Sequence, residues 1–172
     1  MPFRSMYIVL FVALVGASVV RATTPEGWST YNGSTYSIRY PESWTVKGTG
    51  DKVALLASLP DSSIAFNANV NVLVDTLPGT MTWKAYVSQN RTQILPHTVG
   101  NTMHSLTDTV LNGHPATVWS YTFTYKEQQL TVKQYLVLSG RQAYILTYTN
   151  TPQAFETMVN VGTQVMTSIT FN

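Results

Sequence analysis

The sequence predicts an α+β domain in which helices flank a central antiparallel sheet. Two kinds of hydrophobic period support this prediction. In several segments apolar residues alternate with polar ones, as in a strand with one buried face, and in two others they recur every three to four residues, as in an amphipathic helix. Short turn segments separate the strands, which favours antiparallel pairing.

The first predicted strands come early in the chain. Alternation over residues 36–40 predicts one strand, which Pro41 ends. A second short strand is predicted around Trp44 and a third over 53–58. Residues 23–30 are polar and include a proline and a glycine, so we interpret them as a leader into the domain.

The most regular alternation follows these strands. One face of this predicted strand carries Ile64, Phe66, Ala68, Val70, Val72 and Val74, and the other carries Asn67, Asn69 and Asn71. Antiparallel sheets commonly bury one face and leave the other in water. We therefore expect a solvated asparagine face, with a ligand-binding surface as the alternative.

Two segments show the helical period. The first covers 80–95, can be capped by Thr80 or Thr82, and ends before a proline. The second begins with Thr151 as a cap and Pro152 at the first helical position. Each has an apolar stripe, so each should pack one side on the sheet.

Between the helices the sequence predicts an antiparallel meander. Its four strands cover 103–111, 116–125, 130–138 and 143–149. The Asn112-Gly113 pair between the first two is a strong hairpin signal. In the second strand four aromatic residues share one face, which places that strand in a core: Trp119, Tyr121, Phe123 and Tyr125.

The start of the chain has the pattern of a cleavable export signal. Arg4 gives it a positive charge, residues 6–20 carry none, and small residues precede an expected cleavage after Ala22. The uncharged run is shorter than the roughly 20 apolar residues of a spanning helix. We predict a signal peptide over 1–22, a single domain over 23–172, and a location in the periplasm, a lumen or at the cell surface; an uncleaved anchor is the alternative.

The predicted mature domain has no net charge. The chain has ten Lys and Arg against eight Asp and Glu, and two of the basic residues, Arg4 and Arg21, leave with the signal. Nucleic-acid binding and attachment to anionic lipid both need clustered basic residues, so we expect neither. Contact with a membrane would then require a partner protein or an uncleaved signal anchor.

The chain contains no cysteine, which excludes disulfides, thiolate metal ligands and a thiol nucleophile. A domain of about 150 residues can rely on its hydrophobic core alone. Two N-x-S/T triplets, at Asn32 and Asn90, could carry glycans in a host that glycosylates exported proteins.

One small group of residues could bind a metal. His104 and Asp108 are four residues apart in a predicted strand and so share a face, and His114 follows across the hairpin turn. A set of two histidines and a carboxylate suits zinc or another divalent cation. A metal-binding protein or a metal-dependent hydrolase is therefore one hypothesis.

No residue is predicted to be catalytic. The sequence has no nucleophile elbow, phosphate loop or dinucleotide-binding glycine pattern. We therefore expect a protein without enzymatic activity and without a required cofactor. A further hypothesis is a carrier of a small apolar ligand, suggested by four aromatic residues that could line a cavity instead of filling the core: Trp83, Trp119, Tyr121 and Tyr144.

Three stretches resemble the PsbP-like family. Residues 36–44 (YSIRYPESW) are similar to its opening hairpin, 111–116 (LNGHPA) to its turn into the long strands, and 140–149 (GRQAYILTYT) to its closing segment. The resemblance extends from Trp28 to Phe171 and rests on structural motifs, which specify a fold better than a function.

The resemblance implies an α/β/α sandwich that works as a scaffold docking on a partner. Plant members bind the lumenal face of photosystem II, a related fold serves as a Ran-binding import factor, and many prokaryotic relatives are exported. The function hypothesis is therefore an exported, non-catalytic binding or assembly module acting on an extracytoplasmic protein or membrane-protein complex.

Overall fold

The computed structural model describes residues 27–50, 52–57 and 66–172. The predicted signal peptide over 1–22 lies outside these residues, and so do Ser58 and Ile64, two ends of predicted strands. No helix in the described part of the chain is both long and apolar enough to cross a membrane.

The described residues form two α-helices, ten strands and two short 3-10 turns. The strands before the first helix are β1 (Trp28–Asn32), β2 (Tyr36–Pro41), β3 (Thr45–Thr49), β4 (Lys52–Leu56) and β5 (Asn69–Thr76). Helix α1 (Trp83–Ile94) is followed by β6 (Ser105–Leu111), β7 (His114–Tyr125), β8 (Gln128–Ser139) and β9 (Gln142–Asn150). Helix α2 (Pro152–Thr167) and β10 (Thr170–Phe171) end the chain.

Seven strands form one large antiparallel sheet in the order β3-β4-β5-β9-β8-β7-β6. The predicted meander is the half that runs from β6 to β9. The fold class is therefore the predicted one, an α+β domain with a central antiparallel sheet flanked by helices.

Each side of the large sheet has its own hydrophobic core. One core joins β4, β5 and β9 to α2 through residues such as Leu146, Tyr148 and Met166. The other joins β7, β8 and β9 to α1 through residues such as Trp119 and Tyr86. We call these two sides of the sheet the α2 face and the α1 face. The predicted aromatic face of β7 lies in the core of the α1 face.

Both helices start where the sequence predicts. The hydroxyl oxygen of Thr82 accepts a hydrogen bond from the amide of Ala85 at 3.3 Å, and that of Thr151 accepts one from Ala154 at 3.4 Å. Pro152 occupies the first position of α2, where the missing amide hydrogen is not needed.

The predicted hairpin turn between β6 and β7 is also present. Asn112 and Gly113 have φ angles of 50° and 83°, the left-handed conformation that an Asn-Gly turn supplies. The Asn112 side chain donates hydrogen bonds to the carbonyls of Thr167 and Ile169, at 3.1 and 2.6 Å. The turn is thereby fixed to the end of α2.

Three features differ from the sequence prediction. The predicted leader, residues 23–30, includes the first three residues of β1, and the short segment after α2 forms β10; both strands pair with β2 in a separate three-stranded sheet in the order β1-β2-β10. The expected solvated asparagine face is partly dry, because Asn69 is only 2% exposed. The side-chain nitrogen of Asn69 donates to the backbone carbonyl of Asn67 at 2.9 Å, and the side-chain oxygen of Asn69 accepts from the side-chain nitrogen of Asn71 at 2.8 Å. These two bonds let the Asn69 side chain be buried with polar partners for both its nitrogen and its oxygen.

Candidate functional site

Helix α1 is fixed to the sheet near both of its ends. Near its start the Tyr86 hydroxyl donates to Asp75 of β5 at 3.2 Å. Burial, together with the charge and the hydrogen bond of Asp75, raises the pKa of Tyr86, so this phenol stays protonated and donating. At its end Ile94, the last residue of the helix, is buried, and four residues further on Thr98 pairs with Phe123 of β7.

The connection into α1 is held by an arginine from the opposite hairpin. The guanidinium of Arg141, in the β8–β9 turn, donates to the carbonyl of Leu77 at 2.9 Å and to that of Gly79. Leu77 donates its own amide to the carbonyl of Arg141 at 2.9 Å. Reciprocal bonds of this kind set where the helix begins relative to the sheet.

Between its two anchored ends α1 leaves a groove against the strands at the edge of the sheet. The groove has a volume of about 620 Å³, within the range of binding clefts. One wall is the side of α1, with Trp83, Lys84, Val87, Ser88 and Arg91. The other wall and the floor come from β6 and β7, with Leu106, Asp108, Thr109, Pro115, Ala116 and Thr117.

The outer rim of the groove is the edge strand β6. Every residue from Ser105 to Val110 is exposed. Leu106 is 43% and Val110 is 68% exposed, and Val99 is the other large apolar side chain exposed to a similar degree in the described residues. Two exposed apolar side chains beside a groove form a surface suited to contact with a partner.

Charges of both signs line the groove. The Asp108 carboxylate accepts a hydrogen bond from the Thr117 hydroxyl at 2.8 Å. Lys84 and Arg91 project from α1 on the opposite wall. Within the part of the chain that the structure describes, none of these three charged groups forms an ion pair, so all three can pair with groups on a ligand or partner.

A buried polar row stabilises the sheet under α1. The Trp119 indole donates to the Gln134 side chain at 2.6 Å, and Gln134 donates to the Thr147 hydroxyl at 2.7 Å. Trp119 and Gln134 are 0% and 7% exposed. Because three adjacent strands share these bonds, side-chain hydrogen bonds as well as backbone ladders hold them in register.

The structure does not bring together the three residues of the predicted metal site. His104 lies 2.9 Å from the Thr122 hydroxyl, whereas Asp108 bonds to Thr117. His114 packs edge-on against the ring of Phe171, with centroids 4.5 Å apart. In the described part of the chain, no group of three His, Cys, Asp or Glu side chains could hold a metal.

Strand register explains this separation. His114 pairs with Leu111, and Asp108 pairs with Thr117. Asp108 and Leu111 are three residues apart, so their side chains point to opposite faces, and His114 lies on the face of Leu111. The carboxylate therefore faces α1, and His114 faces the other side of the sheet.

The aromatic residues behind the ligand-carrier hypothesis have two different placements. Trp119, Tyr121 and Tyr144 are 0%, 3% and 1% exposed and belong to the two cores. Trp83 instead lines the groove and stacks on Tyr86, with ring centroids 5.8 Å apart. One of the four predicted residues thus contributes to the candidate site.

The two predicted glycosylation triplets also differ. Asn32 is exposed at the end of β1. Asn90 is 3% exposed, and its amide nitrogen donates to the carbonyl of Tyr86 at 2.9 Å. Of the two triplets, only the one at Asn32 has its asparagine exposed in the folded domain.

A family model named DcrB matches residues 38–167, which is most of the chain. The chain belongs to the DcrB family. A search of curated proteins finds no match. The match runs from within β2 to the end of α2, and so it includes both walls of the groove.

Solved structures share this fold at low sequence identity. Cyanobacterial PsbP (CyanoP) from Synechocystis sp. PCC 6803 has a TM-score of 0.64 and 10% identity, over 90% of this chain and 98% of that one. A Pseudomonas aeruginosa protein of unknown function has a TM-score of 0.59 and 20% identity, over 82% and 94%. LpqN, involved in cell envelope biogenesis of Mycobacterium tuberculosis, has 0.57 and 11%, over 85% and 91%. The PsbP-like fold expected from the sequence is confirmed, and the matching family model is DcrB.

The sequence draws attention to some residues of the groove but does not show that they lie together. The sequence pattern indicates other roles for Trp83 and Asp108, as a cavity aromatic and as a metal ligand. No motif in the sequence marks Leu106, Lys84 or Arg91 as a binding residue. The alternation of Leu106, Asp108 and Val110 was visible, but nothing local shows that this strand lies at the edge of the sheet.

Proposed function

We propose that this DcrB-family chain is an exported, non-catalytic binding domain, and that it docks a protein partner outside the cytoplasm through the groove between α1 and β6. The observation that carries the proposal is the combination in one place of a groove of about 620 Å³, an exposed edge strand and two exposed apolar side chains, Leu106 and Val110. Protein-binding surfaces combine apolar contacts with polar groups in this manner.

Export is supported by the signal-like pattern over residues 1–22. The printed role of LpqN in cell envelope biogenesis agrees with a place outside the cytoplasm. A non-catalytic role is supported by the chemistry of the groove: it holds one carboxylate, two basic side chains and no histidine. Such a set offers charge pairing to a partner but no obvious general acid–base pair.

Site-specific photo-cross-linking tests the docking surface. A photoreactive residue would replace Leu106 in the source cells, and the matched control would replace Val99, which is 42% exposed compared with 43% for Leu106. Val99 follows Thr98, which contacts Phe123 at the far end of β7, and does not line the groove. The two positions therefore have equal exposure but different surroundings.

We expect the Leu106 probe to capture one recurrent extracytoplasmic protein that the Val99 probe does not capture. Mass spectrometry of the cross-linked bands identifies it. Identical products from both probes would show that the groove is not the docking surface. Fractionation of the same cells tests export separately: the chain must be recovered outside the cytoplasm, and recovery in the cytosol would contradict that half of the proposal.

A further inference from the structure

Strand β6 is an unprotected edge of the large sheet. It pairs with β7 on one side, and no strand among the described residues pairs with its other side. Its sequence, SLTDTVL, contains neither lysine nor proline, two residues that commonly block edge pairing, and Asp108 is its one charged residue. The other edge strand, β3, contains Lys47 and a left-handed Gly48 with φ of 85°. The two edges thus differ in how well they resist pairing with another strand.

The groove-facing side of β6 has a regular pattern. Leu106, Asp108 and Val110 alternate along the strand and therefore share the α1 face with the groove. In an antiparallel pair, residues directly opposite have their Cβ atoms roughly 4.5–5.5 Å apart. Three side chains of a strand added to β6 would consequently lie beside apolar Leu106, acidic Asp108 and apolar Val110.

Asp108 disfavours pairing with a second copy of the chain. Two β6 strands related by a two-fold axis normal to the sheet can place Leu106 opposite Val110 in only one register. In that register Asp108 of one copy lies opposite Asp108 of the other, and like charges directly opposite are destabilising. A charge at this position acts against self-association while leaving the edge open to a strand with a complementary charge.

We propose that the partner supplies an extended segment that adds to β6 as an eighth strand, with apolar residues opposite Leu106 and Val110 and a lysine or arginine opposite Asp108. This inference rests on the proposed function and states the chemistry of the segment that the groove recognises. Backbone hydrogen bonds supply affinity in this mode, and alternate side chains supply specificity. Asp108 is the charged residue of β6, and within the described residues no ion pair neutralises its carboxylate.

Synthetic peptides test the charge. The probe is a capped seven-residue peptide, Thr-Val-Thr-Lys-Thr-Val-Thr, titrated into the ¹⁵N-labelled mature domain up to millimolar concentration, and its control has Glu in place of Lys. We expect shifts in the β6 amide resonances and binding of the Lys peptide about three- to tenfold tighter than that of the Glu peptide. The Asp108→Lys variant should reverse this order. The matched variant Thr107→Lys puts the cation on the opposite face and should not.

Backbone methylation of the peptide tests strand addition. Two further peptides carry N-methyl groups on one or the other set of alternate amides. A strand has one set of amides facing its neighbour, so we expect one methylated peptide to lose binding and the other to retain it. Equal behaviour of the two would overturn strand addition, as would the absence of any shift in β6 amides.

Sedimentation of the unliganded domain tests the second-copy alternative. We expect a monomer for the parent domain and a dimer for Asp108→Thr, because that substitution removes the opposed carboxylates. A parent dimer that pairs through β6 would show that a second copy occupies the edge and would overturn the proposal. If Leu106 cross-links a partner in cells but the Lys peptide does not bind, this inference fails and the proposed function stands.

Discussion

The two faces of the large sheet are covered to different extents. On the α2 face, α2 and the three-stranded sheet enclose a core that includes Tyr36, Leu146 and Tyr148, each fully buried. On the α1 face, α1 contributes three buried residues, Tyr86, Asn90 and Ile94, and one of these is polar. Near β6 the α1 face remains open as the groove.

The composition of the two helices explains the difference. The α2 sequence has many apolar residues on one stripe, whereas the α1 sequence, WKAYVSQNRTQI, is mainly polar. A helix with few apolar side chains gains little free energy of burial by covering more of the sheet. The α2 face therefore contributes most to stability, and the α1 face retains an open groove.

The largest expected contrast compares two leucines. Leu146 is 0% exposed in the core of the α2 face, and Leu106 is 43% exposed at the groove. Leu146→Ala should lower the free energy of unfolding by about 2–5 kcal/mol, because it removes buried methyl groups and leaves a cavity. Leu106→Ala should change it by about 0.5 kcal/mol or less. Urea denaturation of both variants checks this.

The same two substitutions should affect partner binding in the opposite order to their effects on stability. Leu106→Ala should weaken binding of the partner. Leu146→Ala should not weaken it, provided that binding is measured at a temperature at which this variant is still folded. Loss of stability in the Leu106 variant equal to that of Leu146 would mean that Leu106 belongs to a core. The division of roles between the faces would then be wrong.

Local signals in the sequence predicted much of the fold. The Asn112-Gly113 turn, the caps of both helices and the alternation in the meander depend on residues close together in the chain. The sequence pattern does not predict strands β1 and β10, because neither has a clear alternation and each is paired only with β2. Their stability comes from contacts distant in sequence, which periodicity does not report.

The candidate site was less predictable for a related reason. A groove depends on where α1 crosses the sheet and on which strand lies at its edge, and both are tertiary properties. The metal prediction needed His114 on the face of Asp108, but the two-residue turn puts His114 opposite Leu111. Counting residues across the turn separates the two side chains, so this part could have been tested from the sequence.

A smaller loss of stability is expected from substitutions in the polar row under α1, formed by Trp119, Gln134 and Thr147. Trp119→Phe removes the indole donor and leaves the buried Gln134 oxygen without its 2.6 Å hydrogen bond. We expect a loss of about 1–3 kcal/mol, measured by urea denaturation. The double variant Trp119→Phe with Gln134→Leu removes both partners and should be less destabilised than the sum of the single variants. Strict additivity would indicate that the bond contributes nothing specific to the α1 face.

Among the three core substitutions, the smallest loss of stability is expected at Gly162, where α2 packs closely on the sheet. A Cβ atom added at Gly162 would collide with the ring of Tyr148, which is 0% exposed and has no room to move away. Gly162→Ala should cost about 1–3 kcal/mol in overpacking and recover up to about 1 kcal/mol of helix propensity, so the net change is destabilising. The exposed position Asn160 on the same helix offers the control, because Asn160→Ala should stabilise slightly. Thermal melts showing that both variants gain stability would mean that α2 stands away from Tyr148, and the α2 face would then be no more tightly sealed than the α1 face.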